Sequence, residues 1–241
     1  MRRSFHLLAA AGLLFLFALP AIAQTPQNAS TPNAEALTAT YNQAMLAKDW
    51  PTAVATAQQL VNLKATSQNL YFLGTAQLYS GSSDEALATY DRAITTAEQE
   101  KPADDQAQGN WKDSLSKIYI GRGNALLKLK RTTEAIVSYN RSAELAANAG
   151  QAYFNVCAVL YNMGNTRDSA IACRKCVQAD PGRANAWFIL GSVLFADAPI
   201  NSAGKVAGLT EMREALEKYL ELAPDGPHAA DTKAMLEMIA K

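Results

Sequence analysis

Histidine is almost missing from this chain. His6 and His228 are the only two among 241 residues, and His6 falls in the N-terminal apolar stretch. Neither a histidine-dependent catalytic triad nor a multi-histidine metal site can be assembled from them. Net charge is missing too: Lys plus Arg and Asp plus Glu each total 22. The chain therefore offers no global attraction for nucleic acid or for anionic lipid, and a partner must be recognised locally. Glycine and proline are few, at 13 and 9. The only short glycine cluster, Gly121-Arg122-Gly123, sits inside a helical pattern with no strand ahead of it, which excludes a phosphate-cradling loop. Acidic pairs such as Asp104-Asp105 read as solvated surface. These absences point away from catalysis, and no cofactor and no metal are expected.

What the sequence does contain is apolar and helix-forming. Hydrophobic residues make up 49% of the chain, enough to bury a sizeable core. Ala, Leu, Gln and Lys dominate, the balance of helices joined by short turns. The first residues differ from the rest. Arg2 and Arg3 precede an apolar run from Leu7 to Leu19, and Ala21-Ile22-Ala23 supplies the small side chains of a signal-peptidase site. Cleavage after Ala23 is expected, giving a periplasmic or secreted protein with no stable membrane anchor. No cysteine follows the site, so a lipid anchor there is excluded. Gln24 to Asn33 is polar, contains two prolines, and reads as a flexible leader.

From Ala34 onward the sequence repeats itself. Asp49–Leu60, Ser82–Ile94, Arg131–Ala143 and Thr166–Pro181 align: each begins polar, places a small residue at one point (Ala53, Ala86, Ala135, Ser169), and continues with apolar side chains at helical spacing. A partner helix precedes each block, and a fifth, Ala186–Phe195, has the same shape. Blocks begin near 34, 67, 116, 150 and 184, in steps of 33, 49, 34 and 34 residues.

This pattern resembles the tetratricopeptide repeat (TPR) family. Trp187 with Leu190 and Gly191, Tyr153 with Val156 and Cys157, Leu70 with Leu73 and Gly74, and Tyr119 with Gly123 stand at the family's large and small places on the first helix. Ala86 with Tyr90 and Ala93, and Ala135 with Tyr139, stand at those on the second; Pro181 and Pro224 end second helices. The resemblance implies an all-α solenoid of stacked helical hairpins over residues 34–241. His228–Lys241 is expected to be a C-terminal capping helix, amphipathic through Ala229, Met235, Leu236 and Ile239. A small residue in mid-helix lets paired helices approach, and the large ring four residues before it is expected to fill the space beside that contact. The long second step, which falls ahead of the third unit's block, predicts helices lengthened around a turn at Pro102. Ala196–Glu211 reads as a loop, open either to partner contact or to a merely tolerated insertion.

All three cysteines fall in the fourth unit. In an antiparallel helix pair hinged near Gly164–Thr166, Cys157 and Cys173 stand level, so a disulfide between them is expected, with Cys157–Cys176 second. Cys173-Arg174-Lys175-Cys176 spells C-x-x-C, but within a helix and with no preceding strand, unlike a thiol oxidoreductase. The cysteine left over should be buried.

In the TPR family the first helices line a concave groove. Carried onto this register, the groove residues are Tyr71, Thr75, Leu78 and Tyr79; Lys117, Ile120, Asn124, Leu127 and Lys128; Phe154, Asn155, Ala158, Tyr161 and Asn162; and Phe188, Ser192 and Phe195. This ring-rich wall with few charges suits an extended peptide or an apolar helix of a protein partner. Asn124 and Asn155 match the asparagines of the carboxylate clamp found in some members, but Ile120, Asn185 and Ile189 stand where its cations would. Backbone recognition by the two asparagines is expected instead. The alternatives are rings covered by the protein's own termini, a self-associating structural module, and a C-x-x-C oxidoreductase.

Overall fold

The computed structural model describes residues 33–202 and 204–239. The expected signal peptide and all of the leader but Asn33 lie outside the described residues. Among the described residues ten helices form five antiparallel hairpins: α1 (Ala34–Ala47) with α2 (Trp50–Leu63), α3 (Ser67–Ser80) with α4 (Ser83–Gln99), α5 (Asp105–Lys128) with α6 (Thr132–Leu145), α7 (Gly150–Asn162) with α8 (Thr166–Ala179), and α9 (Ala184–Asp197) with α10 (Thr210–Leu222). A single helix, α11 (Ala229–Met238), follows. Each helix packs against its chain neighbours, and the first helices also meet one another, α3 touching α5 and α7 touching α9. The result is an all-α solenoid whose first helices form one wall.

Local chemistry explains where the helices begin and turn. Asp49, Thr66, Asp104 and Asn165 cap α2, α3, α5 and α8: each side-chain oxygen accepts a hydrogen bond from the backbone N–H three residues on. The turn inside each of the first four hairpins needs one left-handed residue, and Lys48 (φ 57°), Gly81 (94°), Lys130 (63°) and Gly164 (72°) supply it. Lysine has a Cβ that glycine lacks, and the left-handed region strains it by about 1–2 kcal/mol. Lys48→Gly is therefore expected to raise stability by up to about 1 kcal/mol, read as a higher urea midpoint at unchanged slope.

The packing unit is a close approach between paired helices. Ala53, Ala86, Ala135 and Ser169, the small residues aligned in sequence, are wholly buried, as is Ala215 at the same place on α10. The space beside Gly74, Gly121 and Gly123 is filled differently from expectation. A Cβ on Gly74 would lie 3.0 Å from the Tyr90 ring, one on Gly121 2.5 Å from the same ring, and one on Gly123 2.5 Å from Tyr139. The filling ring thus comes from the second helix and not from the residue four places earlier. Helical side chains lean toward the N-terminus of their own helix, so the place over a glycine is open to the facing helix. Tyr90 is held between the second and third hairpins, with its hydroxyl 3.1 Å from that of Thr75.

Two irregular stretches extend this frame. The third unit's first helix begins at Asp105, well ahead of residue 116, and Trp111 on that extension donates from Nε1 to the Ala97 carbonyl of α4 at 2.7 Å. The loop between α9 and α10, described over residues 198–202 and 204–209, folds inward. Val206 bridges antiparallel to Ile200 and parallel to Ile239, and its N–H donates to the Met238 carbonyl. With Met212, Leu216 and Ile239 it makes a second small core. Ile239 reaches that core as an extended residue beyond the end of α11, not as part of its helical face. The loop and chain end together close the last hairpin, the capping that a stack of amphipathic units requires.

Candidate functional site

Three recesses open along the wall of first helices. The first, about 360 Å³, lies between the N-terminal half of α3 and the middle of α5, lined by Tyr71, Phe72, Lys117 and Ile118 with Ser67, Gln68 and Ser114. The second, about 590 Å³, lies between the C-terminal ends of the same helices, lined by Leu78, Tyr79, Asn124, Leu127, Lys128 and Lys130. The third, about 490 Å³, lies between α7, α9 and α11, lined by Phe154, Ala158, Tyr161, Asn162, Asn185, Phe188, Ile189, His228 and Asp231. Most residues assigned to the wall from sequence come together here, in three separate places.

Five do not, and packing accounts for each; Ile120 lies half-buried against the main core. The Thr75 hydroxyl is used internally, donating to the Tyr71 carbonyl and meeting the Tyr90 hydroxyl. Asn155 accepts from Gln151 Nε2 at 2.9 Å on its own helix and lines none of these recesses. Ser192 Oγ is shut away from solvent without a hydrogen-bond partner. Phe195 packs on the second core beside the loop. Phe188 borders the third recess, yet it is only 8% exposed, because the His228 ring stacks on it with centroids 3.9 Å apart. The α11 segment thus covers that ring and brings two polar groups, His228 and Asp231, that the sequence reading had not assigned to the wall. Lys130 and Phe72 were missed as well; Lys130 lies in the turn after α5, beyond the helical register.

Electrostatics divides the wall. Lys117, Lys128 and Lys130 line the first two recesses, whereas Asp231 and His228 line the third. Asn124 is oriented by Tyr139, whose hydroxyl donates to Asn124 Oδ1 at 2.7 Å. The Asn124 amide N–H₂ is therefore the group left to offer. At the third recess Arg183 lies over Phe154, 5.2 Å from the ring centroid, and is itself tied to Asp180 and Gln151. Burial pushes the phenols of Tyr71, Tyr90 and Tyr139 above their ordinary range, so they stay neutral and serve as packing and hydrogen-bonding groups.

The cysteines are placed away from the recesses. Cys157 and Cys173 are joined by a disulfide with Cα atoms 5.0 Å apart, and Cys176 is a buried free thiol that donates to the Gly150 carbonyl. Burial pushes the Cys176 thiol up to about 11. Cys173 is bonded to Cys157 of α7 and Cys176 is a buried thiol, so in this structure the two sulfurs of the C-x-x-C spacing are not joined to each other. Among the described residues no three His, Cys, Asp or Glu side chains gather as metal ligands, and no helix is long and apolar enough to cross a membrane.

Comparison with known proteins agrees with this geometry. A family model described as tetratricopeptide repeat matches residues 116–149. Solved structures share the fold at low identity. YrrB, a TPR protein with an unusual peptide-binding site, is 18% identical with a TM-score of 0.55, over 85% of this chain and 94% of that one. MamA (41-end) from Desulfovibrio magneticus RS-1 is 16% identical with a TM-score of 0.54, over 80% and 97%. A tetratricopeptide repeat protein from Parabacteroides merdae is 15% identical with a TM-score of 0.57, over 85% and 74%. No curated protein sequence matches the chain.

Proposed function

We propose that this chain, a tetratricopeptide-repeat protein by its fold, works as a non-enzymatic scaffold in the periplasm or outside the cell, holding an extended or helical segment of a protein partner on its wall of first helices. The observation that carries this reading is the row of three recesses between first helices, where rings and aliphatic side chains stand open beside hydrogen-bond donors. Rigid aromatics lose little entropy on binding and present large contact area, which suits capture of a peptide segment. The fold alone does not specify function. Support from outside this chain is limited to the peptide-binding site ascribed to YrrB, which shares the fold.

The test is capture of a partner from a periplasmic extract by the immobilised protein. Tyr161→Ala and Phe154→Ala are the informative controls, because Phe188→Ala would also unseat the His228 ring stacked on it. Each is expected to lower capture about tenfold or more, the loss of a buried aromatic anchor. Equal capture by wild type and both variants removes the reading. Export has its own check: the N-terminus of the protein recovered outside the cytoplasm is expected to be Gln24, and an intact Met1 there would contradict cleavage after Ala23.

A second reading, self-association, draws on the first hairpin, where Trp50, Pro51 and Val54 line an open recess and Leu46 is 86% exposed. Light scattering that shows a constant mass across concentration would dispose of it.

A further inference from the structure

Resting on the peptide-holding reading, the wall between α3 and α5 differs in charge from the rest of the groove. The helix α3 carries no charged residue at all. Facing it on α5, Lys117, Asn124 and Lys128 are exposed and stand at spacings of seven and four residues, which places them on one stripe of the helix. Gly121, between them, adds no side chain to the stripe. Lys130 joins from the turn after α5, so each recess along this stretch holds at least one lysine, and neither is lined by a carboxylate.

These groups are all donors with nothing to donate to. Among the described residues no carboxylate lies within ion-pair distance of Lys117, Lys128 or Lys130. Asn124 has its oxygen occupied by the Tyr139 hydroxyl, which fixes the amide N–H₂ as its outward function. Glu100 reaches the rim of the first recess, but its carboxylate is bound by the amide and hydroxyl of Ser67. A helix-end cation is favoured by the helix dipole alone, which accounts for Lys128; Lys117 lies in mid-helix and has no such reason to be there. Between the lysines the wall is apolar, with Phe72, Ile118, Leu78 and Leu127.

We infer that the stretch of wall between α3 and α5 binds an acidic, aliphatic-rich extended segment of a protein partner. Lys117 to Lys128 spans roughly 16 Å of helix axis, the length of about five extended residues. Carboxylates at the two ends of such a stretch meet Lys117 and the Lys128–Lys130 pair, Asn124 donates to a backbone carbonyl between them, and the intervening aliphatic side chains enter the two recesses. The apolar lining between the lysines distinguishes this surface from one that follows a sugar-phosphate or sulfated-sugar chain, which calls for closely spaced cations.

The experiment is selection of random 12-residue displayed peptides on the immobilised full chain, in parallel with Lys117→Glu/Lys128→Glu/Lys130→Glu and with Phe154→Ala. The wild type is expected to enrich peptides with a clear excess of Asp and Glu. A fluorescein-labelled copy of the leading peptide should bind the triple variant about tenfold or more weakly by anisotropy, and weaken similarly when its own Glu residues become Gln. Lys117→Gln/Lys128→Gln/Lys130→Gln replaces the charge-inverted variant if that one does not keep the wild-type circular dichroism. Enriched peptides without acidic excess, whose binding still falls in Phe154→Ala, would overturn the acidic segment and leave the groove standing. Peptides indifferent to both sets of substitutions, or no enrichment at all, would overturn both. A heparin oligosaccharide or single-stranded oligonucleotide that binds more tightly than any selected peptide, and is lost in the triple variant, would overturn the peptide in favour of a polyanion.

Discussion

Cys157→Gly combined with Cys173→Tyr is expected to leave the fourth hairpin folded without its disulfide, whereas serine at both positions costs it about 3 kcal/mol. The reason lies in the repeat. Cys157 and Cys173 are 16 residues apart, as are Gly74 and Tyr90 in the second hairpin and Gly123 and Tyr139 in the third. In those hairpins a bare first-helix backbone receives the face of a second-helix ring. In the fourth, the same two places carry sulfur, and a covalent bond stands where the ring contact would be. Restoring the glycine and the tyrosine restores the neighbouring solution to one packing problem, while two serines leave a thin, polar contact at a buried place. Because each hairpin touches only its neighbours, the loss appears first as local opening. Amide exchange over α7 and α8 is the measurement to make. A Gly/Tyr protein that exchanges there as fast as the double-serine protein would show that the disulfide does more than replace a ring.

Two alanine substitutions in a single helix should move stability in opposite directions. Gly109 and Gly121 both lie on α5. A Cβ at Gly109 meets nothing within 4 Å, so Gly109→Ala removes backbone freedom from the unfolded chain at no steric cost and should gain up to about 1 kcal/mol. A Cβ at Gly121 would come within 2.5–2.7 Å of the Tyr90 ring and its hydroxyl oxygen. Tyr90 cannot retreat, being wedged against Gly74 on its other side, so Gly121→Ala should lose about 1–3 kcal/mol. Urea unfolding of the two variants decides the matter: shifts in the same direction would mean that helix propensity, and not the Tyr90 contact, governs this seam.

Much of this arrangement was legible in the residues because it depends on spacing along a single helix pair. The small residues at Ala53, Ala86, Ala135 and Ser169 mark the closest approach of paired helices, and helical hairpin geometry alone sets Cys157 level with Cys173. Contacts set by the tilt between helices were not legible in the same way. Whether a glycine is covered by its own helix's ring or by Tyr90 from across the seam depends on side-chain direction, which a one-dimensional register does not carry. Residues 198–209 have no periodicity, so nothing in their order announces that Val206 turns inward to meet Ile239, or that Phe195 leaves the wall to pack beside them. The groove was read as ring-rich with few charges; its charged half stands out only once Lys117 and Lys128 on α5 and Lys130 in the turn after it are seen together, with no ion-pair partner among the described residues.

The proposed role rests on the first helices, and not the second, being the surface that a partner covers. Hydroxyl-radical footprinting of the protein alone and in complex with its captured partner tests this directly, because each helix class offers exposed reporters. Tyr79 and Tyr161, 60% and 38% exposed, report on first helices; Val137 and Ile171, 63% and 46% exposed, report on second helices. Binding along the wall predicts that oxidation of Tyr79 and Tyr161 slows severalfold while Val137 and Ile171 are oxidised as before. Protection of Val137 and Ile171 with Tyr79 and Tyr161 unchanged would place the partner on the opposite face and contradict the account.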